Sequence, residues 1–384
     1  MSILFFLLIL SVLVLGHEFG HYAAARLMGV KAEEFGYGFP PRAIGFVRKA
    51  GKWIRVKRTD ESKYTNTIWS LNWLPLGGFV RLKGEQGEDA NATDSFMSKG
   101  ALPRLFILAA GVMMNWLIAI VIFTVGFAIG VPAQTGDVPA GAQVRDQKIQ
   151  ITEVLPGSAG QKAGLRVGDF LLAINAVSTT NVAVAQTALK TDSVQPIQLT
   201  IEQDKQQRQV TVEPAYLEEL KRPGVGIAMT DTGIVRLPLH KAFYEGVMIT
   251  GHYTKVIFVS FGSLIRDIFV RHHVSADVSG PVGIAVMTGK VVDQGVWPLA
   301  QFAALLSINL AIVNFLPIPA LDGGRALFVV IETLRRRKNN VKIETVFHQI
   351  GFLALITLVL VITIHDLKTY GGIIFSGVKN IIGL

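Results

Sequence analysis

His17-Glu18-Phe19-Gly20-His21 sets two imidazoles at positions i and i+4, with a carboxylate one residue after the first. On a helix those two positions share a face, so both rings can hold one Zn²⁺ ion. Glu18 then stands where it can take a proton from a water on that ion. The chain has 8 His and no Cys, so thiolate ligands and disulfides are both absent. A zinc ion that keeps one position open for water needs a third protein ligand. Asp322 is the matching acid, at the end of Asn314-Phe-Leu-Pro317-Ile-Pro319-Ala-Leu-Asp322-Gly-Gly324. Pro317 and Pro319 must break the helix there, freeing backbone carbonyls beside the acid.

Both groups of residues lie in unusually apolar surroundings. Of the 384 residues 17% are charged and 50% hydrophobic, and mean hydropathy is +0.44. Residues 105–131, 296–321 and 346–365 contain no Asp, Glu, Lys or Arg. Each run can cross a hydrocarbon core of ~30 Å as a helix. A cytosolic enzyme, a disordered regulator and a disulfide scaffold are thereby excluded. The start of the chain has no basic residue before His17, unlike a signal peptide, and 1–28 is expected to be a span. The other spans are expected at 103–131, 297–332 and 346–366. Ionisable groups inside such spans are functional by default.

The net charge of +9 comes from loops rather than from a nucleic-acid surface. Residues 29–101 hold 12 Lys and Arg, six of them between Arg48 and Arg58, and Arg335–Lys338 form a second basic run. Positive loops stay inside, so both are expected to be cytoplasmic, with 132–296 outside. His17 then lies ~21 Å and Asn314 ~25 Å into the membrane from outside, both towards the cytoplasmic face. Residues 239–296 are expected to form an amphipathic extracytoplasmic helical segment, because Lys255 at a span centre would cost ~3 kcal/mol.

Two segments read as β structure. In 29–101, Ala43–Phe46, Trp53–Val56, Thr67–Leu71 and Phe79–Leu82 alternate as strands, with turns expected at Ala50-Gly51 and Gly77-Gly78. In 144–230, strands at Val144–Leu155 and Phe170–Asn175, a helix at Ala159–Gly164 and a hairpin over Pro196–Glu213 describe a small α+β domain. Outside the motifs, His240, His252, His272, His273, His348 and His365 are expected at surfaces or interfaces. Asn115, in the second span, is expected to pack between helices.

Together, HExxH in a first span, NxxPxPxLDGG in a third and Glu153–Asn175 between the second and third resemble the site-2 protease family of intramembrane zinc metalloproteases. The bacterial regulator-of-sigma-E type is the nearest pattern. Pro75-Leu-Gly-Gly-Phe-Val-Arg81 and Ser279-Gly-Pro-Val-Gly-Ile284 extend the likeness along nearly the whole chain. The resemblance implies a polytopic α-helical membrane protein of about four transmembrane helices, with a membrane-associated β-hairpin loop and an inserted extracytoplasmic PDZ-like domain. It also implies that His17, His21 and Asp322 bind Zn²⁺, that Glu18 is the general base, and that Asn314 acts on the substrate or its transition state. Asn309, Gly77, Gly78, Pro317 and Pro319 are expected on the substrate path. The implied substrates are single-span membrane proteins of the anti-sigma-factor type, cut by regulated intramembrane proteolysis in a bacterial inner membrane, among lipid. The family's best-studied enteric members carry two PDZ domains, whereas 144–230 has room for one. That domain binds a peptide by strand addition or filters substrates by size. The competing readings are a catalytically silent PDZ-bearing membrane scaffold, and more distantly a zinc transporter. Intact Glu18 speaks against the first, and the lack of a proton relay against the second.

Overall fold

A computed structural model describes residues 2–56, 64–85, 87, 89, 91–136, 138–139, 141–190, 195–203, 206–217, 222–271 and 280–382. Lys57, Arg58, His272, His273 and Ser279 lie outside these. Four described helices are long and apolar enough to cross a membrane: Ile3–Leu27, Ala101–Ile129, Val296–Phe315 and Val341–Gly371. They belong to α1 (Ser2–Leu27), α2 (Ala101–Ile129), α7 (Val296–Phe315) and α9 (Val341–Ile382). The chain divides into two compact units, Met1–Phe123 with Gly246–Leu384, and Thr124–Glu245.

In the first unit, α1 leads into a sheet of β1 (Ala32–Lys49), β2 (Lys52–Arg55) and β3 (Ile68–Leu82), in the order β2-β1-β3. β1 bends enough to pair with β3 twice, so that Phe35 faces both Val80 and Trp69, while Phe46 also faces Trp69. Glu34, buried where β1 pairs with β3 on both sides, is held by Arg42 at 2.9 and 2.5 Å and by Arg81 at 3.3 Å. The expected turn at Gly77-Gly78 is not found, since both glycines are inside β3. Between the pairs Phe39–Leu74 and Tyr37–Gly78, β3 has two residues more than β1. Gly77 takes up this bulge at φ +75°, a conformation that suits glycine.

α1 and α2 meet backbone to backbone at Gly20. A Cβ on Gly20 would lie 2.3 Å from the Ala110 carbonyl oxygen, so only glycine permits this approach. Ala24, Ala25 and Val30 pack with Ile107, Leu108 and Ala110, and with Val329 of α8 (Asp322–Arg335). Arg104, buried at the start of α2, pairs with Glu332 of α8 at 3.0 Å and covers the Phe96 ring. α7 ends at Phe315 because Pro317 and Pro319 have no N–H and disfavour helix before them. The turn 316–321 folds back onto α8. A Cβ on Gly323 would stand 2.2 Å from the Phe315 carbonyl oxygen that ends α7, and one on Gly324 2.2 Å from that of Ile318 in the turn, which explains the paired glycines. α6 (Pro281–Gln294) precedes α7, and its first N–H groups are capped by buried Asp366 of α9.

The second unit holds β4 (Val131–Gln134), β5 (Gln143–Val154), α3 (Ala159–Lys162), β6 (Phe170–Ile174), β7 (Val177–Ser178) and α4 (Val182–Leu189). They are followed by β8 (Ile197–Gln203), β9 (Gln206–Val212), β10 (Ala215–Leu217), β11 (Arg222–Gly224) and β12 (Ile227–Arg236). Its main sheet runs β4-β12-β5-β6-β8-β9, with β7 on β6. Alternate residues Ile149 and Ile151, Leu199 and Ile201, and Val210 and Val212 make the core. Ser158 and Asn181 cap α3 and α4. α5 (Leu239–Arg271) follows, its apolar sequence interrupted by Lys255.

Candidate active site

The HExxH residues lie in the second half of α1, with His17 and His21 buried where that helix packs on α2 and Glu18 half-buried. Asp322 begins α8, at the point where the proline turn delivers it to the same place. His17 Nε2 and His21 Nε2 stand 3.0 and 3.2 Å from Asp322 Oδ2 and 3.2 Å from each other. Ligands of a tetrahedral ion at ~2.0–2.1 Å are spaced by about 3.3 Å. The triangle therefore matches a zinc site.

Its protonation fits as well. His21 Nδ1 is 2.8 Å from the Ile107 carbonyl, which can only accept, so Nδ1 carries the proton and Nε2 offers its lone pair. His17 Nδ1 lies 3.3 Å from the side-chain amide of fully buried Asn115. Asn115 Oδ1 has no hydrogen-bond partner among the described residues. Turning the amide over gives that oxygen the Nδ1–H and frees His17 Nε2 in the same way. Two imidazole lone pairs and a carboxylate oxygen thus converge with no proton between them, a donor set that suits zinc.

Glu18 is anchored from the sheet. The Val80 N–H of β3 donates to Glu18 Oε2 at 3.0 Å. A Cβ on Gly78 would lie 3.6 Å from Glu18 Cγ, and Gly78 thus lies against the carboxylate. Two cavities flank the triad. The first, about 190 Å³, is lined by Val14, Leu310, Asn314 and Leu321 together with His17, Glu18 and Asp322. The second, about 340 Å³, is lined by Phe79–Leu82, Glu85 and Arg325 beside Glu18, His21 and Asp322. Arg325 is one turn on from Asp322 and pairs with Glu85.

The structure thus gathers His17, Glu18, His21, Asp322 and Gly78. Asn314 joins them, its amide 3.4 Å from His17 Nε2. Asn309 sits further up α7, its buried Oδ1 without a hydrogen-bond partner among the described residues. Gly77 lies in the bulge beside Phe39, and Pro317 and Pro319 shape the turn rather than the cavity walls.

Three site residues have no motif to mark them. Gly111 of α2 faces the histidines so closely that a Cβ would lie 2.4 Å from His21 Nε2 and 2.8 Å from His17 Nε2. Asn115, expected to pack, instead touches His17. His348, expected at a surface or interface, is half-buried and accepts the Ala320 N–H at 2.8 Å. A polar residue in an otherwise apolar span was the one available signal for Asn115. Gly111 and His348 gave none, since their contacts come from other helices.

Residues 5–358 match the family described as Peptidase family M50. A Clostridium perfringens protein named for zinc metalloprotease activity is 30% identical over 370 residues, covering 96% of this chain and 98% of the relative. The zinc metalloprotease RasP of Geobacillus kaustophilus is 28% identical over 452 residues, with 96% and 98% coverage. The regulator of sigma-W protease RasP of Bacillus subtilis is 27% identical over the same length and coverage. The solved PDZ domain of an SdrC-like protein from Listeria monocytogenes aligns with 23% of this chain and 92% of its own, at 12% identity and a TM-score of 0.21.

Proposed function

Since the chain belongs to peptidase family M50 and is a zinc metalloprotease of the site-2 type, we propose that it cuts single-span membrane proteins within or beside their transmembrane segment. The observation that carries this reading is the convergence of His17, His21 and Asp322 beside a carboxylate pinned to a sheet edge. His17 Nε2, His21 Nε2 and Asp322 Oδ2 would hold the zinc. When bound, the ion polarises the scissile carbonyl and acidifies the attacking water.

The remaining steps belong to the protein. Val80 occupies one oxygen of Glu18, leaving Oε1 to take a proton from the water and return it to the leaving amine. The Asn314 amide, beside His17, donates to the oxygen that gains charge. A helical substrate must unwind before its peptide bond is accessible. The β3 edge beside the second cavity has its Val80 and Leu82 N–H groups taken by Glu18 and Glu85, and would hold an unwound strand across Glu18 through the Val80 carbonyl and the Gly78 backbone.

The bent end of the sheet exposes Phe39, Trp73 and Leu74, an apolar tip suited to lipid. This supports a sheet that dips into the membrane. We read the basic loops as cytoplasmic, which would set the sheet and the metal site towards the cytoplasmic side of a bacterial inner membrane and the 144–230 domain outside. We read that domain as PDZ-like, meeting the outer part of the substrate. The RasP names make anti-sigma-factor-type substrates the first to try.

Glu18→Gln, purified with a tagged single-span substrate, tests the chemistry. Zinc retained and cleavage lost is the expected result, and unchanged cleavage would remove Glu18 as the base. Asp322→Ala should lose zinc; normal zinc content there would break the site.

A further inference from the structure

Ala320 is not a glycine, yet it takes φ +73°, a left-handed conformation that residues with a Cβ disfavour. It stands two residues before Asp322 and lines both cavities beside the triad. Something outside the turn must hold it there. α9 supplies that hold at two successive residues. The Ala320 N–H donates to His348 Nδ1 at 2.8 Å. One turn further along α9, Gly351 meets Pro319 so closely that a Cβ would lie 2.1 Å from the proline ring and 2.8 Å from its carbonyl oxygen. The His348 ring is itself fixed against Phe328 of α8, with centroids 5.6 Å apart. The turn is therefore clamped between the helix it starts and the last helix of the chain. Asp322 must reach two histidines at 3.0 and 3.2 Å, a fit that a change of one backbone rotation at Ala320 would destroy.

We propose that His348 is a positioning residue for the third metal ligand: by accepting the Ala320 N–H it keeps the turn left-handed and aims Asp322 at His17 and His21. The inference rests on the reading of Asp322 as a zinc ligand. It ties metal retention to α9, a helix that contributes no ligand.

The test uses the full chain in detergent, loaded with zinc, and follows zinc transfer to a chelator alongside kcat and KM on a tagged single-span substrate. His348→Ala should release zinc about 10-fold faster, the low end of the 10–100-fold weakening that follows loss of a direct partner of a ligand, because His348 acts on Asp322 through Ala320. Its kcat should fall while KM holds. His348→Asn, whose Oδ1 falls near the position of Nδ1, should keep release near the wild-type rate. Ala320→Gly carries no Cβ penalty in the left-handed region, so in that background His348→Ala should have a much smaller effect. Release from His348→Ala at the wild-type rate overturns the proposal. So does release from His348→Asn as fast as from His348→Ala, or an undiminished effect in the Ala320→Gly background. Asp322→Ala, run alongside, separates the two claims. Zinc kept by Asp322→Ala breaks the metal reading itself, whereas zinc lost there but held normally by His348→Ala removes only the role of His348.

Discussion

Two imidazoles hold one metal only when each turns an unprotonated nitrogen towards it, and atoms outside the motif decide which nitrogen that is. Ile107 fixes His21, Asn115 fixes His17, and both partners lie on α2. Gly111, between them on the same helix, leaves room for the rings. Gly111→Ala is predicted to empty the site while the chain still folds, because the new methyl would occupy the space of both Nε2 atoms. Zinc content and melting temperature measured together check this. A folded variant with full zinc would mean that α2 can withdraw from the histidines. At this scale the sequence was legible only where chemistry repeats along one helix. His17, Glu18 and His21 share a local spacing, and Asp322 stands out as an acid at the end of an uncharged run. Asn115, Gly111 and His348 act across helices, and no spacing within a single segment encodes such contacts.

Elements carry the next part of the design. α1 brings the histidines, the broken span between α7 and α8 brings Asp322, and β3 brings the N–H that holds Glu18. The spans were legible because apolar runs of helix length have few alternatives in lipid. The sheet was legible in kind but not in form. Four short strands were expected, whereas β1 and β3 are long, and a bulge stands at Gly77-Gly78 where a turn was expected. Alternation records which residues face a core, not how far a bent strand continues its pairing. Because the Val80 N–H points out of the ladder to Glu18, a proline there removes one donor without breaking a strand pair. Val80→Pro is predicted to lower kcat about 10–100-fold, the worth of one hydrogen bond to a charged acceptor. Zinc content should stay normal, and Val80→Ala should behave as wild type. A Val80→Pro enzyme at full rate would mean that Glu18 is oriented without β3.

On the scale of the whole chain, the unit Thr124–Glu245 is an insertion with adjacent ends. Val131 of β4 pairs with Val235 of β12, and the Leu237 N–H donates to the Phe127 carbonyl at 2.8 Å. The chain thus leaves α2 and returns to α5 at neighbouring points. The unit has its own core, built on Ile149, Leu171, Leu199 and Ile201, and none of its described residues lines the two cavities beside the triad. Its position between the second and third spans was readable from composition. Its task was not, because a peptide groove and a steric filter call for the same strands. Replacing residues 132–234 by a short Gly/Ser linker should therefore leave zinc binding intact and preserve cleavage of a substrate with a minimal outer segment. Loss of zinc from this variant would show that the insert supports the metal site. A second substrate that retains a folded outer domain then reads the unit's task. Faster cutting than by the intact enzyme means the unit had been keeping bulky substrates out, and slower cutting means it had been holding them.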